Sequence, residues 1–151
     1  MKIRNAKIQD VKQIHDLVSV YAEMDRMLFR SYSELYENIQ SFLVAADDGN
    51  ILGCCSLQVI WEDLAEIKSL AVASDRKQKG IGKNLVNSAI EKARQLGLKK
   101  VFALTLEPEF FKKIGFEKID KSQLPMKVWS DCAKCPKQDH CDEIAFIKYL
   151  D

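Results

Sequence analysis

The sequence lacks long hydrophobic runs and interdomain linkers. Its 151 residues include 3 prolines and 6 glycines, and no Pro/Gly/Ser-rich stretch or internal repeat divides it, so we expect one domain over residues 1–151. No stretch offers the ~20 uncharged residues of a membrane span. The start, MKIRNAKIQDVKQI, also has no long apolar run. We therefore expect a soluble, cytoplasmic protein without a membrane partner.

The sequence also lacks a net charge of either sign. Its 23 basic and 22 acidic residues leave a formal net charge of +1, which gives no general basic field to attract nucleic acid. We expect no nucleic-acid partner, and an anion-binding site must be local. Hydrophobic residues make up 47% of the chain, which excludes a disordered protein. The oligomeric state stays open, a homodimer included.

The five cysteines are odd in number and fall into two groups, which is not the disulfide framework of a small secreted protein. Two of the five cysteines, Cys54 and Cys55, lie in an apolar run and are most simply buried strand residues. The other three cysteines lie near the end of the chain together with His140. For this second group, free thiols or a reversible disulfide are favoured over zinc, because adjacent His and Cys ligands strain a tetrahedral site. We expect no metal. This second group has the pattern C-x2-C-x4-H-C and comprises Cys132, Cys135, His140 and Cys141.

Apolar spacing and turn residues predict the element order β-α-α-β-β-β-α-β-α-β-β. Hairpins and one strand-helix-strand crossover are mixed in this order, so the predicted fold class is α+β, or mixed α/β. Helices are predicted to begin near Ile8, after Ser31, at Gly80 and at Pro108. The predicted strands are residues 2–6, 42–46, 51–60, 65–72, 100–106, 116–119 and 143–150.

A candidate anion site lies where a predicted strand leads into the longest helix. The segment from Gly80 to Gly82 opens that helix, and glycines at a helix start let a phosphate approach the unpaired backbone N–H groups. Four basic residues add charge that suits a pyrophosphate. The alternative is an ordinary glycine-started helix with a solvated basic face. The basic residues are Arg76, Lys77, Lys79 and Lys83.

This strand-loop-helix, with SLAV followed by K-x-x-G-I-G and later by FFKKIGF, resembles the GNAT superfamily of N-acetyltransferases. The segments MLFRS, WEDLAEIKSLAV, VFALT, LPMKVWSDCAKCP and CDEIA are similar to the N-acetylglutamate synthase family, in its short form without an amino-acid-kinase domain. The resemblance implies a mixed sheet of about six to seven strands with about four helices. It also implies acetyl-CoA as co-substrate and L-glutamate as acceptor, in arginine biosynthesis.

The resemblance further implies which residues form the site. Glu66 and Ser69 match its catalytic strand, with Glu66 as the base that takes a proton from the acceptor amine and Ser69 as a donor to the leaving thiolate. A backbone N–H near Leu70 is a candidate for the oxyanion. The implied acceptor-binding residues are Leu28, Arg30, Thr105 and Lys127, and the implied coenzyme contacts are Leu70, Ala71, Val72, Lys77, Gln78, Lys79, Gly80, Ile81, Gly82 and Lys83.

Two departures from the superfamily are visible. Gln78 stands in the phosphate loop where many members have glycine, and Phe111 stands where many have a tyrosine that acts as general acid. A phenyl ring has no proton to donate, so that position cannot supply the acid. Glu66 and Ser69 are three residues apart, and strand side chains alternate between faces. Both therefore reach one cleft only if a bulge interrupts the ladder between Glu66 and Val72.

Simpler interpretations stay open for three of these residues. Glu66 is also compatible with a solvated strand residue paired with Lys68, Arg30 with a surface charge, and Thr105 with a locally bonded strand residue. Two other functions compete with glutamate acetylation. They are acetylation of another small amino acid or a protein N-terminus, and a non-catalytic module that binds acetyl-CoA or senses thiols.

Overall fold

The computed structural model describes residues 1–75, 80–124 and 143–151. Within them the chain forms seven strands, four α-helices and short 3-10 turns at Ile8–Asp10, Ile39–Ser41 and Lys121–Gln123. The strands are β1 (Lys2–Asn5), β2 (Phe42–Asp47), β3 (Asn50–Trp61), β4 (Leu64–Val72), β5 (Lys100–Thr105), β6 (Glu117–Ile119) and β7 (Ile144–Tyr149). The helices are α1 (Val11–Glu23), α2 (Tyr32–Glu37), α3 (Ile81–Gln95) and α4 (Pro108–Lys113).

The strands form one mixed sheet in the order β1-β2-β3-β4-β5-β7-β6. Its pairs are antiparallel except β4 with β5, which are parallel and joined through α3. Parallel neighbours need such a crossover connection, because a tight turn reverses the chain and can join only antiparallel strands. The predicted fold class is confirmed. None of the helices in the three described ranges is long and apolar enough to cross a membrane.

Local sequence signals account for the element boundaries. The two central residues of the β2–β3 turn, Asp48 and Gly49, have φ of 49° and 81°, as a two-residue hairpin turn requires. The Ser31 hydroxyl accepts the N–H of Glu34 at 3.2 Å, and the Glu34 carboxylate accepts the N–H of Ser31 at 3.2 Å. This capping box begins α2. Gly97, with φ 87°, ends α3 in a left-handed cap.

The helices cover the two faces of the sheet. Apolar side chains of α1 and α2 pack on one face, and those of α3 and α4 on the other. The adjacent Cys54 and Cys55 point to opposite faces, as alternation along β3 requires. Both are buried free thiols, as predicted. Gly53 lets α3 approach the sheet, since an added Cβ would lie 3.0 Å from Leu85 Cδ1.

An ion pair fixes the entry of the chain into α1. The Arg4 guanidinium donates two hydrogen bonds to the Asp10 carboxylate, at 2.8 and 3.1 Å, and the N–H of Lys7 donates a third at 2.7 Å. These bonds hold the first turn, Ile8–Asp10, in 3-10 geometry, so the predicted helix becomes α-helical at Val11. The guanidinium and the Lys7 N–H lower the pKa of the buried Asp10 carboxyl despite its desolvation.

Candidate active site

The sheet opens into a cleft between its two parallel strands. β4 and β5 pair only from Leu64 to Glu66, opposite Lys100 to Phe102, and beyond Phe102 the strand β5 keeps its pairing with β7 alone. The carboxyl-terminal halves of β4 and β5 therefore separate. Side chains from both halves, from the α1–α2 loop and from the start of α3 line the resulting cleft of about 650 Å³.

A bulge in β4 controls which side chains enter this cleft. Ala71 pairs with Cys54 and Lys68 with Ser56, so Ser69 and Leu70 together stand opposite Cys55 alone. Ser69 takes a left-handed φ of 52°, which is unusual for a residue with a side chain. The break in the ladder predicted between Glu66 and Val72 is therefore present. Because the bulge shifts the alternation by one residue, Glu66 and Ser69 both line the cleft.

Glu66 lies at the floor of the cleft and is 6% exposed. Its carboxylate Oε1 lies 3.8 Å from the Nζ of Lys68, whose side chain is 15% exposed and also lines the cleft. Glu66 is thus paired with Lys68, but in a buried setting and not as a solvated surface residue. A buried carboxylate in a cleft is strongly sensitive to the charges around it. Glu66 is well placed to exchange a proton with a bound molecule.

Arg30 enters the cleft from the loop between α1 and α2, together with Leu28. Its side chain is 17% exposed, and its Nη1 lies 3.5 Å from Glu34 Oε2. The N–H of Ser31 and the Arg30 charge lower the pKa of Glu34, which keeps that carboxylate ionised. Arg30 is therefore a cation fixed at the cleft wall and not a freely solvated surface charge.

Thr105 contributes to the cleft wall from the end of β5. It is buried, and its hydroxyl oxygen accepts the backbone N–H of Glu107 at 2.8 Å. Thr105 is therefore both a locally hydrogen-bonded strand residue and a part of the cleft wall. Glu107 in turn forms an ion pair with Arg26 of the α1–α2 loop, and both line the cleft. This pair joins the two sides of the opening.

The start of α3 forms the other end of the cleft. Gly80 caps the helix with φ 74°, a conformation that favours glycine. A Cβ at Gly82 would lie 3.4 Å from the Phe110 ring and 3.7 Å from Val72. A methyl group fits there in this structure, but it would occupy space beside the helix N-terminus, where backbone N–H groups attract anions. The arrangement suits a phosphate group that approaches glycine backbone.

The structure brings together ten of the residues that the resemblance implied. The side chains of Ala71 and Ile81 instead pack in the two cores, so a coenzyme contact there would use backbone atoms. Lys77, Gln78, Lys79 and Lys127 lie outside the described residues, as do Cys132, Cys135, His140 and Cys141. The ten that line the cleft are Leu28, Arg30, Glu66, Ser69, Leu70, Val72, Gly80, Gly82, Lys83 and Thr105.

Several residues of the cleft were not predicted from the sequence. Tyr21 fits the apolar face of α1, yet its hydroxyl donates to the Val72 carbonyl at 2.7 Å and ties α1 to the end of β4. Phe111 packs against Phe116 and Phe146 in the core, which agrees with a structural role. The other unpredicted lining residues with charged or aromatic side chains are Arg26, Lys68, Glu107, Phe110, Lys113 and Glu143.

Comparison with known proteins assigns the family. The model of the acetyltransferase (GNAT) family matches residues 8–116. An uncharacterized N-acetyltransferase of Chlorobaculum tepidum is 42% identical over 148 residues, which cover 98% of this chain and 96% of that protein. An amino-acid acetyltransferase of Mycobacterium tuberculosis is 36% identical over 135 residues, or 87% of this chain and 77% of that protein. The chain belongs to the GNAT acetyltransferase family.

A solved structure extends the likeness to the whole fold. N-acetylglutamate synthase from Neisseria gonorrhoeae, complexed with coenzyme A and N-acetyl-glutamate, superposes with a TM-score of 0.89 at 29% identity. The match covers 99% of this chain and 35% of that one, so this chain spans about a third of the Neisseria enzyme. The protein is an N-acetyltransferase, and acetyl-CoA is its co-substrate.

Proposed function

We propose that the protein transfers the acetyl group of acetyl-CoA to the α-amine of L-glutamate, directly and within a ternary complex. The observation that carries this proposal is the joint presence of Glu66 and Arg30 in one cleft, beside the glycines that open α3. A carboxylate base and a fixed guanidinium are the groups that an acceptor with an amine and a carboxylate needs. The named relatives support an amino-acid acceptor.

Glu66 acts in this proposal as the general base. An α-amine is mostly protonated at neutral pH, and only the neutral amine attacks a carbonyl carbon. Glu66 takes the proton, directly or through water, before the amine attacks the thioester. Glutamate has two carboxylates. Arg30 holds one of them with two parallel hydrogen bonds, and we assign Lys127 as the second basic residue of the acceptor site. Leu28 and Thr105 complete the acceptor side.

The bulge supplies the groups that meet the developing negative charges. Ser69 and Leu70 lie where β4 has left its pairing with β5, and the extra residue of a bulge is not paired in the ladder. We assign a backbone N–H near Leu70 to the oxyanion and the Ser69 hydroxyl to the departing thiolate. Phe111 takes no part in proton transfer.

The coenzyme lies in this proposal along the end of β4 and against the start of α3. Its pantetheine arm contacts Leu70, Ala71 and Val72, and its pyrophosphate meets the helix N-terminus at Gly80 and Gly82. The glycines without Cβ atoms, the helix dipole and the local basic residues all favour this placement. The other assigned phosphate contacts are Lys77, Gln78, Lys79, Ile81 and Lys83.

Acetylation of glutamate places the enzyme at the opening step of arginine biosynthesis, as the family resemblance implies. We propose a cytoplasmic location for it, with residues 1–151 acting as one N-acetyltransferase domain.

The test is release of free thiol from acetyl-CoA in the presence of single amino acids and of a short peptide. Turnover with L-glutamate well above the other acceptors supports the proposal. Turnover only with a different amino acid or with the peptide N-terminus would move the acceptor assignment to that molecule. Binding of acetyl-CoA without turnover of any acceptor would contradict glutamate acetylation and favour a coenzyme-binding module.

A further inference from the structure

Glu66 and Lys68 form a pair of opposite charges inside the cleft, next to the site of amine chemistry. They are two residues apart on β4, so their side chains leave the strand on the same side. Both side chains are largely buried, at 8% and 15% exposure. Charged groups are rarely buried this far without a partner or a function.

The spacing of the pair suits a free amino acid. Standard bond lengths put the α-nitrogen and the carboxylate carbon of an amino acid about 2.5 Å apart. Glu66 Oε1 and Lys68 Nζ lie 3.8 Å apart, beyond the length of an ordinary N–H···O bond. One amino acid can therefore contact both side chains at once. Its α-ammonium group would face the Glu66 carboxylate, and its α-carboxylate would face the Lys68 ammonium.

We propose that Lys68 binds the α-carboxylate of the acceptor and thereby makes the enzyme selective for free α-amino acids over peptide N-termini. This inference rests on the proposed amino-acid acetyltransferase function and deepens it. With the α-carboxylate at Lys68, the attached amine lies beside Glu66, the base. Arg30, which lines the same cleft from the α1–α2 loop, is left for the side-chain carboxylate of the acceptor.

The same contact explains rejection of a peptide. In a peptide N-terminus the carbon next to the amine carries a neutral amide carbonyl and no carboxylate. Such an acceptor offers the Lys68 ammonium only a neutral carbonyl oxygen, and a hydrogen bond between two charged groups is stronger than one to a neutral acceptor. Discrimination thus comes from the stronger bond that Lys68 makes to the α-carboxylate of a free amino acid.

The experiment compares three acceptors in the full-length enzyme: L-glutamate, L-glutamine and L-glutamate α-amide. The last has the neutral group that a peptide bond would have. We expect Lys68→Met to lower kcat/KM for glutamate and glutamine by the same factor, roughly 10- to 100-fold. Its kcat/KM for the α-amide should fall by a factor roughly 10-fold smaller, because any effect of the lost charge on Glu66 is common to all three acceptors. The Lys68→Arg variant keeps the charge and should retain part of the preference for glutamate.

Each other pattern overturns the inference. An equal loss on all three acceptors would mean that Lys68 only supports Glu66 or the fold. A loss confined to glutamate would mean that Lys68 binds the side-chain carboxylate. An unchanged preference would remove Lys68 from acceptor binding. Turnover of the α-amide by Lys68→Met also shows that the variant folds, and Lys68→Gln provides a second neutral variant if the methionine form does not fold.

Lys100→Met is the matched control. Lys100 lies on β5, its Nζ is 3.5 Å from Asp63, and it does not line the cleft, so its loss should leave the acceptor preference unchanged. Failure of the glutamate assignment is a separate result. If the wild-type enzyme acetylates another free amino acid, the comparison is repeated with that acid and its α-amide. If it acetylates no free amino acid, the proposed function fails before Lys68 is tested.

Discussion

Glu66 and Phe102 are the last residues through which β4 and β5 pair. From the next residue onward the two strands diverge, and this edge of β4 faces an open cleft instead of β5. The proposed base is therefore buried by the closed part of the sheet and open to a ligand on its other side.

Replacement of Glu66 by glutamine tests the base. Glutamine keeps the size of the side chain but accepts no proton, so we expect kcat to fall roughly 100- to 1,000-fold near neutral pH. The loss should shrink at high pH, because the acceptor amine then deprotonates in solution. The pH profile of kcat for both enzymes provides the measurement. A constant ratio across pH would show that Glu66 is not the base.

Replacement of Arg30 by alanine tests the acceptor site. We expect KM for glutamate to rise roughly 10- to 100-fold while the Kd of acetyl-CoA stays the same, since of the two substrates the guanidinium is assigned to the acceptor alone. Steady-state kinetics and titration calorimetry measure the two quantities. Glu34→Gln is the control, because it removes the ion pair with Arg30 but keeps an oxygen for the Ser31 N–H. An equal effect on both substrates would contradict the assignment.

Alanine substitutions of the two glycines at the start of α3 should affect acetyl-CoA binding and protein stability differently. Gly82→Ala places a methyl in ordinary contact with Phe110, so we expect an unchanged Tm and acetyl-CoA binding weakened roughly 10-fold or more by the blocked backbone approach. Gly80→Ala should cost about 1 kcal/mol of stability because its φ is 74°. Thermal unfolding and coenzyme titration measure both.

Gly49→Ala serves as the control for this pair. Its φ of 81° predicts a similar loss of stability, but it lies in the β2–β3 turn, away from the cleft. Coenzyme binding should be unaffected. If Gly82→Ala bound acetyl-CoA as tightly as the wild type, the phosphate placement at α3 would be wrong.

Asp10 should make stability depend on pH. Its pKa is lowered in the folded protein by the bonds from Arg4 and Lys7, so ionised Asp10 stabilises the fold at and above the ordinary carboxyl pKa of about 3.9. That contribution is lost as the pH falls through the lower folded pKa. We expect Asp10→Asn to reduce the free energy of unfolding by roughly 2 kcal/mol at pH 7. The difference from wild type should disappear in strong acid.

Urea unfolding at pH 7, 5 and 3 measures this effect. Asp47→Asn is the control, because Asp47 is exposed at the end of β2 and its replacement should matter little at any pH. A wild-type advantage over Asp10→Asn that grew as the pH fell would contradict the role of the Arg4–Asp10 pair.

We expect the thiols of Cys54 and Cys55 on β3 to be unreactive in the folded protein. Burial raises the pKa of Cys54 to about 12 and raises that of Cys55 as well, and the thiolate is the reactive form. In a variant with Cys132, Cys135 and Cys141 replaced by serine, we expect no thiol labelling before unfolding and two labelled thiols after it. Mass spectrometry counts them. Rapid labelling of the native variant would show that β3 is exposed.

Most elements of this fold are predictable from the sequence because their signals are local. The capping box at Ser31, the turn at Asp48 and Gly49, and the glycine after α3 each act on the next few residues. The strand-to-helix connection before Gly82 likewise predicted an anion site at the start of α3, and Gly80 and Gly82 line the cleft. Even the bulge in β4 followed from the sequence, once Glu66 and Ser69 were both assigned to one site.

Other features depended on the tertiary structure. The place of β7 between β5 and β6, the separation of β4 from β5, and the ion pair of Arg26 with Glu107 join segments far apart in the chain. The side chains of Tyr21 and Lys68 fit ordinary helix and strand patterns, so only the folded chain places them at the cleft. Sequence patterns encode how neighbouring residues lie relative to one another, whereas packing of distant segments decides which side chains meet.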